Sequence, residues 1–173
     1  VGMFKYYLDN KEIQKAIQAM NVVLASTEID SMIKHRILNE FLIFVTKNPQ
    51  HEPDLEKAIA YFDKDPNINV AMEIGKYFHN KQLWDKAIRY YELSLKNSDG
   101  QNVETNLLLL QAYVETKQFE LVAKKAAELV ETFPSQPQFY FYSGLANNQL
   151  QQFKKAKEML EMGLDYVIDD VSL

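Results

Sequence analysis

Three windows of the chain repeat one pattern of small, aromatic and aliphatic residues at a fixed interval. An interval of 69 residues separates Gly75 from Gly144, Trp84 from Phe153, Ala87 from Ala156, Tyr91 from Leu160, and Leu95 from Leu164. A middle copy divides this interval into 35 and 34 residues. Such a period is typical of repeat arrays, in which each unit is one supersecondary element that cannot bury its apolar face alone. The sequence therefore predicts a stack of repeated units.

Each window is predicted to form two helices joined by a tight turn. About 12 residues separate the small residue of the first segment from that of the second, enough for a helix end, a turn and a new helix start. Glycine within a helix costs roughly 1 kcal/mol relative to alanine, so Gly75 and Gly144 need a packing reason. We expect Gly75 to face Ala87 and Gly144 to face Ala156, which would let two antiparallel helices approach closely.

The three windows resemble the tetratricopeptide repeat (TPR), a helix-turn-helix unit of about 34 residues. The resemblance is carried by Gly75, Phe78, Trp84, Ala87, Tyr91 and Ser94 in the first unit, Leu110, Tyr113, Phe119, Val122, Ala126 and Pro134 in the second, and Tyr140, Gly144, Phe153, Ala156, Leu160 and Gly163 in the third. Leu110, Val122 and Asn147 depart from the family pattern. The resemblance implies an all-α fold of antiparallel helix pairs stacked in a right-handed TPR superhelix, an α-solenoid.

A weaker form of the same pattern precedes the three units. An aliphatic residue three before an alanine recurs as Ile13 with Ala16 and as Leu55 with Ala58. We interpret this part as degenerate TPR-like helices that belong to one continuous array. The predicted division is 1–66 for the degenerate helices and 67–173 for three TPR repeats, at about 68–102, 103–136 and 137–170.

Apolar spacing predicts helices throughout, and no strand pattern competes with it. Proline and glycine positions between the apolar segments fit helix starts and helix ends. The expected number is about nine, near residues 11–25, 29–47, 54–63, 69–80, 84–97, 103–115, 119–131, 137–149 and 153–167.

Composition excludes several classes of function. The formal net charge is −5 and there is no basic stripe for a phosphate backbone, so nucleic acid is not expected as a partner. The longest apolar runs, such as 41–45, have about five residues, whereas a membrane span needs about 18. The chain has no cysteine, which excludes disulfides and thiolate metal sites. We expect a soluble chain, cytoplasmic by default, or exported or periplasmic if it is an excerpt of a longer protein.

The sequence offers no catalytic, cofactor or metal motif. His35, His51 and His79 are scattered, and no pair has the three-to-five-residue spacing that a metal site on a helix would use. The five glycines never form a phosphate-binding loop. We therefore predict a chain that is not an enzyme, with no catalytic residues, no cofactor and no metal.

By resemblance to TPR proteins, function is expected on the concave surface, which the first helix of each unit lines. The implied groove residues are Asn69, Met72, Lys76, His79 and Asn80 in the first unit, Glu104, Leu107, Gln111 and Glu115 in the second, and Gln138, Phe141, Leu145 and Asn148 in the third. This mixture of apolar and amide side chains suits a peptide or helix of a partner protein, with Phe141 as an anchor. The predicted function is a non-catalytic interaction scaffold or adaptor.

The last predicted helix has more apolar surface than one neighbouring helix can cover. Repeat arrays normally end in a helix with a polar outer face, but this helix carries Met159, Leu160, Met162, Leu164, Val167 and Ile168. We expect either that the native chain continues beyond Leu173 into further units or that this end packs on a second copy or on a partner. The alternative function is therefore a structural or dimerising TPR segment of a longer multidomain protein, with no free ligand in the groove.

Overall fold

Ten α-helices and one short 3-10 helix make up the regular structure. The computed structural model describes residues 2–61, 70–98 and 100–171, without the side chains of Asn97 and of 168–171. The α-helices are α1 (Gly2–Asp9), α2 (Ile13–Ala25), α3 (Ser31–Lys47), α4 (Glu52–Ile59), α5 (Val70–Asn80), α6 (Trp84–Asn97), α7 (Val103–Glu115), α8 (Phe119–Thr132), α9 (Pro137–Gln149) and α10 (Phe153–Val171), and the 3-10 helix is Pro49–His51. No β-strand occurs within these residues, and the predicted all-α fold is confirmed.

The helices form five consecutive pairs. α1 packs on α2, α3 on α4, α5 on α6, α7 on α8 and α9 on α10, and we call the first member of each pair the A helix and the second the B helix. Neighbouring pairs stack because α2 contacts α3, α6 contacts α7 and α8 contacts α9. Nine of these ten helices coincide with predicted ones. The additional helix is α1, which buries Phe4 and packs the half-buried Tyr7 and Leu8 against the core; their spacing of three and four residues from Phe4 was the available signal.

Four of the five turns inside the pairs share one backbone conformation. In each, a residue other than glycine adopts a left-handed φ between 57° and 63°; the four residues are Lys11, Gln82, Lys117 and Gln151. The next amide donates a hydrogen bond to the carbonyl five residues before it, as Leu83 does to Phe78 at 2.9 Å. This bond pattern closes a helix in the Schellman manner. The α1/α2 turn is therefore built like the turns of the three recognisable repeats.

The connection between α3 and α4 is built differently. Pro49 follows Asn48 at the end of α3 and begins the 3-10 helix, which leads directly into α4. Proline lacks an amide N–H and has a fixed φ, so it suits the first turn of a helix better than its end. The irregular pair is thus the second of the five. The predicted boundary between 1–66 and 67–173 falls at residues 62–69, outside the described residues, and stays a prediction.

The small residue of each B helix is buried, and the glycines of two A helices lie under a side chain of the partner helix. The exposed fraction is between 0% and 4% for Ala16, Ala58, Ala87, Val122 and Ala156. The side chain nearest to Gly75 is Tyr91 rather than the expected Ala87, one helical turn further along α6. Gly144 likewise lies under Leu160, with the carbonyl oxygen of Ala156 also near. The helices do approach closely, but a large side chain fills the space between them.

Candidate functional site

The A helices α5, α7 and α9 bury the same positions. Counting from Gly75, Leu110 and Gly144, the reference residue is buried, as are the residues five, four and one before it and two and three after it. A period of 3.6 residues places these six positions on one side of the helix. We call the opposite side of the A helices the A face. All twelve predicted groove residues that the structure describes lie on the A face, where each is exposed or half-buried.

An ion pair joins the A faces of α5 and α7. Lys76 Nζ lies 2.8 Å from Glu104 Oε1 and 3.6 Å from Glu73 Oε1. The hydrogen bond with Glu104 raises the pKa of Lys76 above its ordinary value, and the charge of Glu73 acts in the same direction. A pair this exposed adds at most about 1 kcal/mol to stability. It does show that the predicted groove positions of two successive A helices meet on one surface.

The predicted groove residue His79 is held by the partner helix α6. Its Nδ1 lies 3.0 Å from the Tyr91 hydroxyl, and its ring packs edge-to-face on Trp84 at a centroid distance of 4.9 Å. Burial lowers the pKa of His79, and the charge of Glu115 on α7 opposes this only in part. The imidazole is therefore uncharged at neutral pH. His79 therefore contributes packing to the A face more than an available charge.

The A face of α9 is more open at Leu145 than at Phe141. A Cβ placed on Gly163 of α10 would lie 2.9 Å from Phe141 Cε1, so the half-buried Phe141 ring packs on α10. Leu145 is 40% exposed. The accessible apolar contact on α9 is therefore Leu145, whereas Phe141, the expected anchor, is largely occupied within its own helix pair.

The other predicted groove residues differ in how much they offer a ligand. Met72 and Leu107 are half-buried. Five polar residues are exposed, namely Asn80, Gln111, Glu115, Gln138 and Asn148. Asn69 lies outside the described residues. The A face thus combines a few apolar contacts with accessible amide groups, which can bond to the backbone of a bound chain.

The structure adds α3 to this surface, which the sequence pattern did not predict. When the buried Leu38 is aligned with Gly75, the exposed Met32 and Ile43 and the less exposed His35 and Asn39 occupy A-face positions. A depression of about 430 Å3 runs along them and is also lined by Ser31, Arg36 and Glu40. α3 packs against α5, so the A face continues onto it. The helical spacing of Met32, His35, Asn39 and Ile43 was the available signal, but the irregular repeat length hid its register.

Two features are absent from the described part of the chain. No group of three or more His, Asp or Glu side chains there could hold a metal ion. None of the helices in that part is long and apolar enough to cross a membrane.

Comparison with solved structures identifies the architecture. No protein-family model matches the chain, and no curated protein matches it. The solved structure described as MamA MSR-1 C2 superposes with a TM-score of 0.60 at 16% identity, covering 97% of this chain and 93% of that one. The MamA RS-1 ArsTM double mutant gives 0.59 at 16% identity, covering 99% and 94%. MamA is known to contain TPR repeats. The fold is TPR-like. At this identity the similarity concerns the fold, a stack of helical repeats along nearly the whole of both chains.

Proposed function

We propose that this chain is a non-catalytic scaffold that binds a peptide or helix of a partner protein along the A face. The observation that supports this most is the Lys76–Glu104 contact, which joins the predicted groove positions of two A helices. The common burial pattern of α5, α7 and α9 supports it as well, because it leaves the same side of each helix open. A net charge of −5 favours a protein ligand over nucleic acid.

The chemistry of the A face defines what a ligand would offer. Met32, Ile43 and Leu145 are exposed by 80%, 61% and 40% and can each receive an apolar side chain. The exposed amides of Gln111 and Asn148 can both donate to and accept from a peptide backbone. A surface that combines apolar contacts with accessible amides suits a helix or an extended segment that presents apolar side chains along one face. The proposed ligand is therefore an amphipathic segment of a protein.

A display selection tests the proposal even though the partner is unidentified. Wild-type protein is used to select from a displayed library of random peptides of about 16 residues, long enough for four helical turns. Selected peptides are then synthesised and titrated against an A-face variant carrying Ile43→Glu, Gln111→Arg and Leu145→Glu, three changes at exposed positions. We expect binding to weaken at least about tenfold, equivalent to about 1.4 kcal/mol.

A matched control carries the same kinds of change on B helices. Val22→Glu, Gln18→Arg and Leu121→Glu also replace exposed residues, and this variant is expected to bind the selected peptides as wild type does. Peptides that bind the A-face variant and wild type equally would contradict the proposal. A selection that yields no peptide would favour the alternative, a structural segment of a longer protein with an empty groove.

A further inference from the structure

The last B helix, α10, has an exposed apolar stripe. Inside the array, an A helix covers the equivalent side of a B helix. Phe153 and Leu164 on α10 are 62% and 52% exposed. The residue equivalent to Leu164 on α6 is Leu95, which is 5% exposed because α7 packs there. Among the described residues, no helix lies on the corresponding side of α10. The exposed side of α10 is therefore the side on which a following A helix would pack.

The first A helix has the complementary open surface. Met3 and Tyr6 on α1 are 59% and 57% exposed. Counted from Phe4, which takes the place of Gly75, they occupy the positions of Ile74 and Tyr77, which are 0% and 7% exposed. In those positions α5 faces the preceding pair.

Contacts inside the array show which way these positions point. The Tyr77 hydroxyl donates a 2.7 Å hydrogen bond to Glu52 Oε1, at the start of α4. Leu109 of α7 takes the same position as Met3 and lines a depression together with Leu95 of α6. Met3 and Tyr6 are thus placed to meet a B helix, and the described residues place none there.

We propose that a second copy of this chain covers both surfaces, with α1 of one copy packed on α10 of the next. The contact would repeat the packing of α7 on α6 and of α9 on α8 inside the array. One chain carries both halves of such an interface, an A helix open toward a preceding pair and a B helix open toward a following pair. This arrangement is heterologous, so copies add head to tail and form open chains rather than closed dimers. The proposal does not depend on ligand binding at the A face.

Sedimentation velocity of wild type and two end variants tests the head-to-tail arrangement. The N-end variant carries Met3→Lys and Tyr6→Lys, and the C-end variant carries Phe153→Glu and Leu164→Glu. All four replaced side chains are more than half exposed, so both variants should keep the wild-type helical circular dichroism. Wild type is expected to grow from monomers to species larger than dimers as its concentration rises to about 0.5 mM, where even contacts with a Kd near 0.1 mM are populated.

The mixing result is the specific expectation. Each end variant alone should remain monomeric, because every contact needs one intact surface of each kind. An equimolar mixture should form dimers and nothing larger, since only the intact α10 of the N-end variant can meet the intact α1 of the C-end variant. Leu121→Glu, on α8 at a residue 42% exposed, is the matched control and should associate like wild type.

Three outcomes would overturn the proposal. Wild type that stays monomeric at every concentration would show that a second copy does not cover these surfaces. An N-end variant that still dimerises alone would indicate a symmetric contact between two α10 helices. A mixture of the two variants that remains monomeric would exclude the pairing of α1 with α10.

Discussion

Gly75 lies directly under the ring of Tyr91: a Cβ at Gly75 would be 2.6 Å from both Cδ1 and Cε1 of that ring. Real Cβ atoms do not approach so closely, so α5 and α6 cross at a distance that only glycine permits. The third repeat divides the same space in the same way, and the middle repeat divides it differently. Gly144 is matched with Leu160, and Leu110 occupies the place of Gly75 where the smaller Ala126 replaces Tyr91. Both Leu110 and Ala126 are fully buried, so large and small residues have exchanged sides in the middle repeat.

The first prediction follows from this exchange. Gly75→Leu should lower the free energy of unfolding by about 1–3 kcal/mol, because Tyr91 is fully buried and cannot move aside. Adding Tyr91→Ala should recover much of that loss, because the double variant recreates the combination of Leu110 and Ala126. Urea denaturation of the two single variants and the double variant gives the coupling free energy. Strictly additive effects would contradict the proposed exchange.

A second prediction concerns the left-handed turn residues. Gln82 has a φ of 58° at the end of α5. This left-handed conformation is strained for a residue with a Cβ but not for glycine. Gln82→Gly should therefore raise the free energy of unfolding by about 0.5–1 kcal/mol. The control is Gln82→Ala, which keeps a Cβ in the same conformation and should not stabilise the protein. Urea denaturation midpoints of the two variants, compared with wild type where the m values agree, test both expectations.

The reverse argument applies to the glycine with a left-handed conformation. Gly100 has a φ of 73°, and a Cβ there would meet nothing within 4 Å. Substitution is therefore opposed by the backbone and not by packing. Gly100→Ala and Gly100→Leu should lower the free energy of unfolding by similar amounts, roughly 1 kcal/mol each. Thermal or urea unfolding in which the leucine variant is far less stable than the alanine variant would contradict this reason.

A further prediction concerns a buried hydroxyl at the start of α7. Thr105 is completely buried, and its Oγ1 has no hydrogen-bond partner among the described residues, while its amide donates to Asn102 Oδ1 at 2.8 Å. Thr105→Val keeps the shape and the amide bond and removes an unpaired polar atom, so it should stabilise by about 1 kcal/mol. Asn102→Ala removes the cap and should destabilise by about 1 kcal/mol. A loss of stability in Thr105→Val would show that the hydroxyl has a partner.

Stability should also depend on pH through His79. Burial lowers the pKa of His79 below the unfolded value of 6.5, so the unfolded state binds the proton more readily than the folded state. The contribution of His79 is complete above pH 6.5 and is lost as the pH falls toward the folded-state pKa. Comparing the free energies of unfolding of wild type and His79→Gln at pH 7.5 and pH 5.5 isolates the contribution of His79, because glutamine does not titrate. An equal loss of stability in both proteins on acidification would assign the effect to other groups.

Several parts of the structure could be predicted from local patterns. Helix positions follow from the spacing of apolar residues, and the small positions Ala87 and Ala156 are buried as their period required. The TPR resemblance placed Lys76 and Glu104 on the same surface, and the structure puts them in contact at 2.8 Å. These features repeat along the chain, so three copies of a weak signal reinforce one another.

Other features had no local signal. The left-handed turns use Lys11, Gln82, Lys117 and Gln151, and none of these residue types marks such a conformation. The occupant of the space above Gly75 could not be read from its spacing to Ala87, because the ring of Tyr91 reaches back one turn. These outcomes depend on which side chains meet across helices, which a one-dimensional period does not specify.

The sequence by itself determined that this chain is a stack of helix pairs, because helical periodicity and a repeat interval of about 34 residues are properties of residue order alone. Only the tertiary structure decided which surfaces stay open. Leu95 and Leu164 occupy equivalent positions, yet one is 5% exposed and the other 52%, because the neighbouring helix covers the first and not the second. Burial is a property of what packs beside a residue, so identical sequence patterns acquire different roles at different places in the array.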